Sequence, residues 1–166
     1  VTRSSAGSLY HQQLARQLSD FLTEGGRLEK AGGMMTLPDV YCIFNRARGL
    51  ALISPDDLVT AANSLKALGL PMSLRTFTSG VRVIQEDTHN DDVMSRTLES
   101  LAREHGSVSS VRVGTLLGIP ITLAKEHLLI AEKGCALCRD ETLECVNFYP
   151  NEFPEFLDGI SSGAVE

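Results

Sequence analysis

A set of proline, glycine and apolar residues recurs once along the chain at a constant offset of 65 residues. Six pairs carry the pattern: Pro55 and Pro120, Leu58 and Leu123, Leu65 and Ile130, Gly69 and Gly134, Val81 and Val146, Val83 and Phe148. Proline favours the first turn of a helix, glycine favours its end, and alternating apolar residues indicate strands. The repeat therefore predicts a helix followed by a β-hairpin, used twice. With two further helices before each copy, this is the winged-helix plan.

The first copy is predicted to contain three helices and one hairpin. A stripe of apolar residues indicates an amphipathic helix over residues 8–23, carried by Tyr10, Leu14, Leu18, Phe21 and Leu22. The glycine-rich residues 25–35 are expected to form a loop. Thr36 and Ser54 are placed to cap the second and third helices, the third running to Gly69. Ser79-Gly80 favours a tight two-residue turn in the hairpin.

The second copy repeats this order. Its first helix starts at Asp91-Asp92 and ends at His105-Gly106, and its expected core side is Val93, Thr97, Leu98, Leu101 and Ala102. A short helix from Ser109 or Ser110 and a longer one over residues 120–133 follow, with Gly134 as the stop. Residues 135–149 are predicted to form a hairpin that turns around Asp140-Glu141-Thr142.

These elements predict a mainly α protein with small β-hairpins, an α+β class built from two tandem winged-helix domains. The expected boundaries are residues 1–87, including the preceding helix, residues 88–154, and a disordered tail over residues 155–166. The chain begins with Val1 and not with methionine, so we expect a piece of a longer protein. Four cysteines at irregular spacing favour a reduced, cytosolic protein, and no apolar run is long enough to predict a membrane span.

A winged-helix plan raises the alternative of a nucleic-acid-binding regulator, which the charge distribution disfavours. The chain carries a net charge of −6, and an acidic chain is repelled by phosphates and anionic lipid unless a local basic patch overrides the average. In the two third helices the charges sum to −1 over residues 54–69 (Asp56, Asp57 and Lys66) and to zero over residues 119–134 (Lys125, Glu126, Glu132 and Lys133). Helices that read DNA present several basic or amide side chains. We therefore expect no nucleic-acid partner.

A second alternative is a zinc-stabilised domain. Cys135, Cys138 and Cys145 resemble part of a zinc site, but a structural site needs four ligands. A fourth ligand would have to be His127, on the preceding helix. On ligand count the cysteines are better explained as small residues of a pleated surface, so we expect no metal and no cofactor.

Catalytic motifs are not evident in the sequence. His11, His89, His105 and His127 fall on helices or helix ends, and none lies beside a serine or cysteine in a recognisable nucleophile arrangement. The glycines of residues 25–33 lack the Gly-Lys-Ser/Thr ending of a phosphate-binding loop. We therefore predict a protein that is not an enzyme.

The close of the second hairpin is the clearest feature for partner binding. Residues 146–153 read VNFYPNEF. Because neighbouring strand residues point to opposite faces, Phe148 and Tyr149 are expected to face opposite sides. One aromatic side chain should therefore lie near the surface, where it can anchor a protein contact, unless the tail covers it.

Two long runs of sequence resemble a known family. The run FLTEGGRLEKAGGMMTLPDVYCIFNRARG (residues 21–49), followed by SPDDLVTAANSLKALGLPMSLRTFTSGVRVI, resembles the vacuolar protein sorting-associated protein 36 family of ESCRT-II subunits. The segments LAKEHLLIAEKGCALCRDE and VNFYPN are similar to the family's carboxy-terminal half. The resemblance extends over residues 9–153, and it implies two tandem winged helices used in assembly.

The resemblance also implies partners and sites. It implies a cytoplasmic protein recruited to the endosome membrane, within a complex that sorts ubiquitinated cargo to multivesicular bodies. Its partners there would be the sorting 22 subunit and two copies of the sorting 25 subunit. The implied contact for a proline- and tyrosine-containing segment of sorting 25 is Asn147, Phe148, Tyr149, Pro150 and Phe153, with Arg139 and Asp140 at the rim. The implied contact for sorting 22 is Met34, Met35, Leu37 and Tyr41.

One part of the family pattern has no counterpart here. Full-length members begin with a domain that binds phosphoinositide and ubiquitin, and nothing in this sequence corresponds to it. Membrane and ubiquitin contacts are therefore expected only through that missing amino-terminal domain.

Overall fold

The computed structural model describes residues 3–153, with side chains from residue 7. The chain divides into two compact units, Val1–His89 and Asn90–Glu166. Each unit packs helices against a small antiparallel sheet, which confirms the predicted α+β, winged-helix class. The predicted disordered tail lies outside the described residues.

The first unit has four helices among its described residues: α1 (Arg3–Thr23), α2 (Arg27–Lys30), α3 (Leu37–Arg48) and α4 (Pro55–Ser64). Its strands are β1 (Met34–Thr36), β2 (Met72–Thr76) and β3 (Arg82–Glu86), in the order β1-β3-β2. The predicted caps are confirmed, because the hydroxyl oxygens of Thr36 and Ser54 accept hydrogen bonds from the backbone N–H groups of Asp39 and Asp57.

The first helix starts earlier than predicted and its apolar stripe is shorter. It begins at Arg3 and not at residue 8. Leu14, Leu18 and Leu22 are buried, whereas Tyr10, which was predicted to lie on the same apolar stripe, is 42 % exposed. The i, i+4 spacing of the leucines already fills the buried stripe, and the Tyr10 ring instead lies edge-on to His11.

The expected loop over residues 25–35 is more ordered than the sequence suggested. It contains a short 3₁₀ turn (Glu24–Gly26), helix α2 and strand β1. Strand β1 pairs antiparallel with β3, with Met35 opposite Ile84. A strand of three residues gives no periodic signal of its own, and its partner lies about fifty residues further along the chain.

Two boundaries of the first hairpin region also differ from the prediction. Helix α4 ends at Ser64, and the chain continues as turns to Gly69, where φ is +66°. The hairpin loop runs from Phe77 to Val81 instead of being a two-residue turn at Ser79-Gly80, and the Phe77 N–H donates to the Val81 carbonyl at 2.9 Å. Phe77, at the start of this loop, is buried, and the Arg75 guanidinium lies over its ring at 4.8 Å.

The second unit contains the helices α5 (Asp91–His105), α6 (Ser110–Leu117) and α7 (Ile121–Lys133) and the strands β4 (Leu137–Glu141) and β5 (Val146–Pro150). The Ser109 hydroxyl caps α6 by accepting from the Arg112 N–H. Between α5 and α6, Val108 pairs with Phe148 by two backbone hydrogen bonds, of 2.9 and 2.8 Å. This single residue takes the place beside β5 that β1 takes beside β3 in the first unit.

Three details of the second unit correct the sequence expectation. Val93 and Thr97 are exposed, and α5 packs inward through Met94, Leu98, Leu101 and Ala102. The left-handed residue after α7 is Cys135 (φ 60°) and not Gly134 (φ −79°). The second hairpin turns at residues 142–145, because Asp140 and Glu141 remain paired in β4 with Asn147 and Val146.

The repeat is confirmed where it concerns the core. Leu58, Leu123, Leu65, Val83 and Phe148 are buried. Ile130 is half-buried, and the pair Val81 and Val146 differs, because Val81 is half-buried in its loop and Val146 is 38 % exposed. Within residues 3–153 no single helix is long and apolar enough to cross a membrane. Helices α6 and α7 together have the length and apolar composition of a membrane span, but they are separated by a bend of 111°.

Candidate partner-binding surfaces

The residues proposed for sorting 22 lie mostly inside the first unit. Met34 is 1 % exposed and Leu37 is also buried, and Leu37 packs in the core of the first unit. Met35 and Tyr41 are half-buried and pack on the outside of that core. The Tyr41 hydroxyl donates to the Ile53 carbonyl at 3.3 Å. Of the predicted set, Met35 and Tyr41 therefore retain surface for a partner.

The period-2 alternation of strand β5 separates the residues proposed for sorting 25. Phe148 is 3 % exposed and packs in the core of the second unit, whereas Tyr149 is 40 % exposed on the opposite face. Asn147 and Pro150 are half-buried, and Phe153, just beyond the strand, is 69 % exposed. The expectation that Phe148 and Tyr149 face opposite sides is confirmed.

Tyr149 lines a groove of about 370 Å³ in the second unit. The groove lies where the end of α5 passes the end of β5, and its lining residues are Ala102, Arg103, Gly106, Tyr149, Pro150 and Glu152. Gly106 adopts a left-handed conformation (φ 79°) that ends α5 and turns the chain toward Val108. Arg103 is held on the surface of α5 by Glu99 at 3.0 Å. The site can therefore offer an aromatic face, a proline face and charged groups to an extended segment.

The sequence did not point to the α5 side of this groove. Ala102 was assigned to the core, and Arg103 and Gly106 carry no motif. Their position beside Tyr149 depends on the packing of α5 against β5, which no local pattern encodes. A weak signal was present, because Gly106 ends a helix immediately before the strand-like Val108.

Arg139 and Asp140 are neighbours on β4, and both side chains are exposed. Arg139 Nε is 3.3 Å from Glu132 Oε1, and its Nη1 is 4.0 Å from Glu141 Oε2. Neither Arg139 nor Asp140 lines the groove around Tyr149.

The cysteines occupy separate parts of the second hairpin. Cys135 precedes β4, Cys138 is paired with Tyr149, and Cys145 lies in the turn, where its sulfur is 3.2 Å from Asn147 Nδ2. His127 is buried on α7. In the described part of the chain, no three His, Cys, Asp or Glu side chains are grouped so that they could hold a metal ion.

Of the two helices that precede the hairpins, α4 carries only acidic charges, and α7 carries charges of both signs. On α4, Asp57 bonds to His11 and Ser54, while Asp56 is exposed. On α7, Glu126 is buried and Lys125 is exposed. Neither helix presents the row of basic and amide side chains that reads a DNA groove. The fold and its surfaces together define the class as a tandem winged-helix protein.

Comparison with known proteins gives the family. The model of the EAP30/Vps36 family matches residues 1–141, and the chain belongs to this family. It is 48 % identical to the rat vacuolar protein-sorting-associated protein 36 over 92 % of its length. The human vacuolar protein-sorting-associated protein 36 is equally similar, at 48 % identity over 92 % of the chain. The chain spans about 40 % of the length of these relatives.

A solved structure supports the fold. A chain of the ESCRT-II endosomal trafficking complex superposes with a TM-score of 0.66, over 87 % of this chain and 92 % of that one, at 20 % sequence identity. At this identity the likeness concerns the fold, and it confirms the tandem winged-helix architecture.

Proposed function

We propose that this chain is the tandem winged-helix part of an ESCRT-II subunit that acts in assembly and not in catalysis. The observation that carries the proposal is its membership of the EAP30/Vps36 family, with 48 % identity to the rat and human relatives over 92 % of the chain. Such a subunit works in the cytoplasm, is recruited to the endosome membrane, and serves the sorting of ubiquitinated cargo to multivesicular bodies.

The second unit is proposed to bind a sorting 25 subunit in the groove beside Tyr149. An exposed aromatic residue next to Pro150 suits a segment that contains proline and tyrosine, because aromatic and proline rings stack flat against one another. Phe153 extends this surface beyond β5, with 69 % of its area exposed. Phe148 supports the site from the core, and Asn147, Arg139 and Asp140 belong to its periphery.

The first unit is proposed to bind the sorting 22 subunit. Met35 and Tyr41 are the accessible members of the predicted set, and both pack against the core of the first unit. Methionine and tyrosine are both enriched in protein interfaces.

Co-expression with sorting 22 and sorting 25 tests this function. The 166-residue chain, with an affinity tag, should co-purify with both partners, and light scattering should give the mass of one chain, one sorting 22 and two sorting 25 subunits. The complex should survive moderate salt, whereas nucleic-acid binding would weaken by orders of magnitude over the same range. Recovery of neither partner, or strongly salt-dependent binding of a DNA duplex, would contradict the proposal.

A further inference from the structure

The corner between α6 and α7 in the second unit exposes three aliphatic side chains. Val111 is 58 % exposed, Leu116 47 % and Ile121 52 %. These residues have no part in the core or in the Tyr149 groove. On α6, helical spacing places Val111, Arg112, Thr115 and Leu116 along the outer face, opposite the buried Val113.

Helix α6 packs closely against the start of α7 at a glycine. A Cβ atom on Gly114 would lie 3.0 Å from the Ile119 carbonyl oxygen and 3.5 Å from Ile121 Cγ1. The Thr115 hydroxyl is satisfied within α6, where it donates to the Val111 carbonyl at 3.0 Å. Helices α6 and α7 are therefore closely packed at this corner, and the hydroxyl group of Thr115, beside the aliphatic side chains, already has a hydrogen-bond partner.

The exposed Asp, Glu, Lys and Arg side chains of residues 105–125 are all basic. Arg112 and Lys125 are exposed, and Lys125 lies one turn after Ile121 on the same face of α7. Residues 105–125 contain no aspartate or glutamate, and the next acidic residue, Glu126, is buried. In a chain with a net charge of −6 this is a local reversal of sign. Arg112 is also positioned by His105, with Nη2 and Nδ1 3.2 Å apart.

We propose that the α6–α7 corner, defined by Val111, Arg112, Leu116, Ile121 and Lys125, binds the surface of an anionic lipid bilayer. Aliphatic side chains beside basic residues are the composition that inserts into the interface of a bilayer and attracts acidic headgroups. Three side chains offer much less than the roughly 800 Å² per partner that a stable protein interface buries. A fluid bilayer needs no matching pocket. The two basic residues and the small apolar area therefore favour an anionic lipid surface over a protein partner.

Flotation of the 166-residue chain with vesicles tests the proposal. Vesicles of phosphatidylcholine with one-third phosphatidylserine should bind the chain, and pure phosphatidylcholine should bind much less. Replacing Arg112 and Lys125 with glutamine should weaken the partition coefficient about fivefold per charge removed. The double variant L116S/I121S should weaken it by about tenfold.

Leu143 provides a matched control. It is fully exposed, in the turn between β4 and β5, but it lies between Glu141 and Glu144. The variant L143S should therefore bind vesicles like the parent chain. Circular dichroism checks that each variant remains folded. If L116S/I121S does not fold, the glutamine variants of Arg112 and Lys125 still test the proposal.

Two results would overturn the proposal. One is equal binding to both vesicle types, or binding that neither double variant changes. The other is loss of sorting 25 or sorting 22 binding by L116S/I121S in the absence of lipid, with vesicle binding unchanged, because the corner would then be a protein contact. Failure of the lipid-binding proposal can be distinguished from failure of the proposed assembly function, because binding to sorting 22 and sorting 25 is measured without lipid.

Discussion

Phe148 and Tyr149 are neighbours in β5 whose side chains lie on opposite faces, one 3 % and the other 40 % exposed. The backbone of Phe148 also exchanges two hydrogen bonds with Val108, and the backbone of Tyr149 pairs with Cys138. Two adjacent aromatic residues thus have separate tasks: Phe148 stabilises the second unit, and Tyr149 is available to a partner.

Replacement of Phe148 with alanine should mainly affect folding. The side chain is buried, so its removal leaves a cavity among Leu98, Val108 and Leu137, the residues that share its core. We expect a loss of about 3–5 kcal/mol in the free energy of unfolding of the second unit. Urea denaturation followed by circular dichroism measures it, and a loss below about 1 kcal/mol would show that Phe148 is not part of the core.

The orientation of α5 can be tested with two substitutions on that helix. Leu98 is fully buried and Val93 is 59 % exposed. We expect L98A to lower the free energy of unfolding by about 2–5 kcal/mol and V93A to change it by less than about 0.5 kcal/mol. Thermal or urea unfolding of the two variants gives the comparison. Equal losses would indicate that α5 is rotated from the orientation described.

Gly33 packs directly against His89 in the first unit. Its φ is +82°, and a Cβ atom there would lie 2.9 Å from His89 Nδ1. G33A should therefore cost about 1–3 kcal/mol, from backbone strain together with the clash. Gly80 is the matched control, because its φ is +89° with no atom within 4 Å of the added Cβ. G80A should show the strain alone, so a smaller loss for G33A than for G80A would contradict the close packing.

The Asp57 carboxylate gives part of the first unit's stability a pH dependence. The hydrogen bond from His11, with Nε2 2.9 Å from Asp57 Oδ1, and that from Ser54 hold the pKa of Asp57 below its ordinary value of 3.8. A lowered pKa means that the ionised form is stabilised by folding. This contribution is complete above pH 3.8 and is lost as the pH falls through the folded-state pKa.

The variant D57N removes the titrating group. At neutral pH we expect a loss of about 0.5–1 kcal/mol, the range of a partly exposed pair, and a flatter acid limb of the stability curve. D56N is the control, because Asp56 is exposed on the same helix turn. Urea midpoints measured across the acid range provide the test. If the stability of D57N falls with decreasing pH as steeply as that of the parent chain, Asp57 does not cause this pH dependence.

The helices and the core of each unit could be predicted from periodicity, because i, i+4 leucines and capping residues are local signals. The short strand β1 could not, since three residues become a strand only by pairing with β3. The loop at Phe77 and the exposure of Tyr10 follow from tertiary packing in the same way. Val93 was misplaced because α5 carries apolar residues on two adjacent faces, and only the facing α7 decides which one is buried.

The candidate site was partly predictable for the same reasons. Alternation along β5 predicted the exposure of one aromatic residue, and the structure identifies it as Tyr149. The α5 wall of the groove, with Arg103 and Gly106, depends on contacts between distant segments. Met34 was named as a contact because the family resemblance implied it, and its segment was expected to be a loop. The structure makes it part of β1, where its side chain is buried on the opposite face of the strand from Met35.

The affinity of sorting 25 for the Tyr149→Ala variant tests the central claim most directly. Isothermal titration calorimetry should show a loss of about 2 kcal/mol, close to thirtyfold in Kd, as expected for an interface anchor. The unfolding transition of the variant should stay near that of the parent chain, because Tyr149 is 40 % exposed. An unchanged Kd, particularly with a large loss of stability, would place Tyr149 in the structural core and contradict the proposed site.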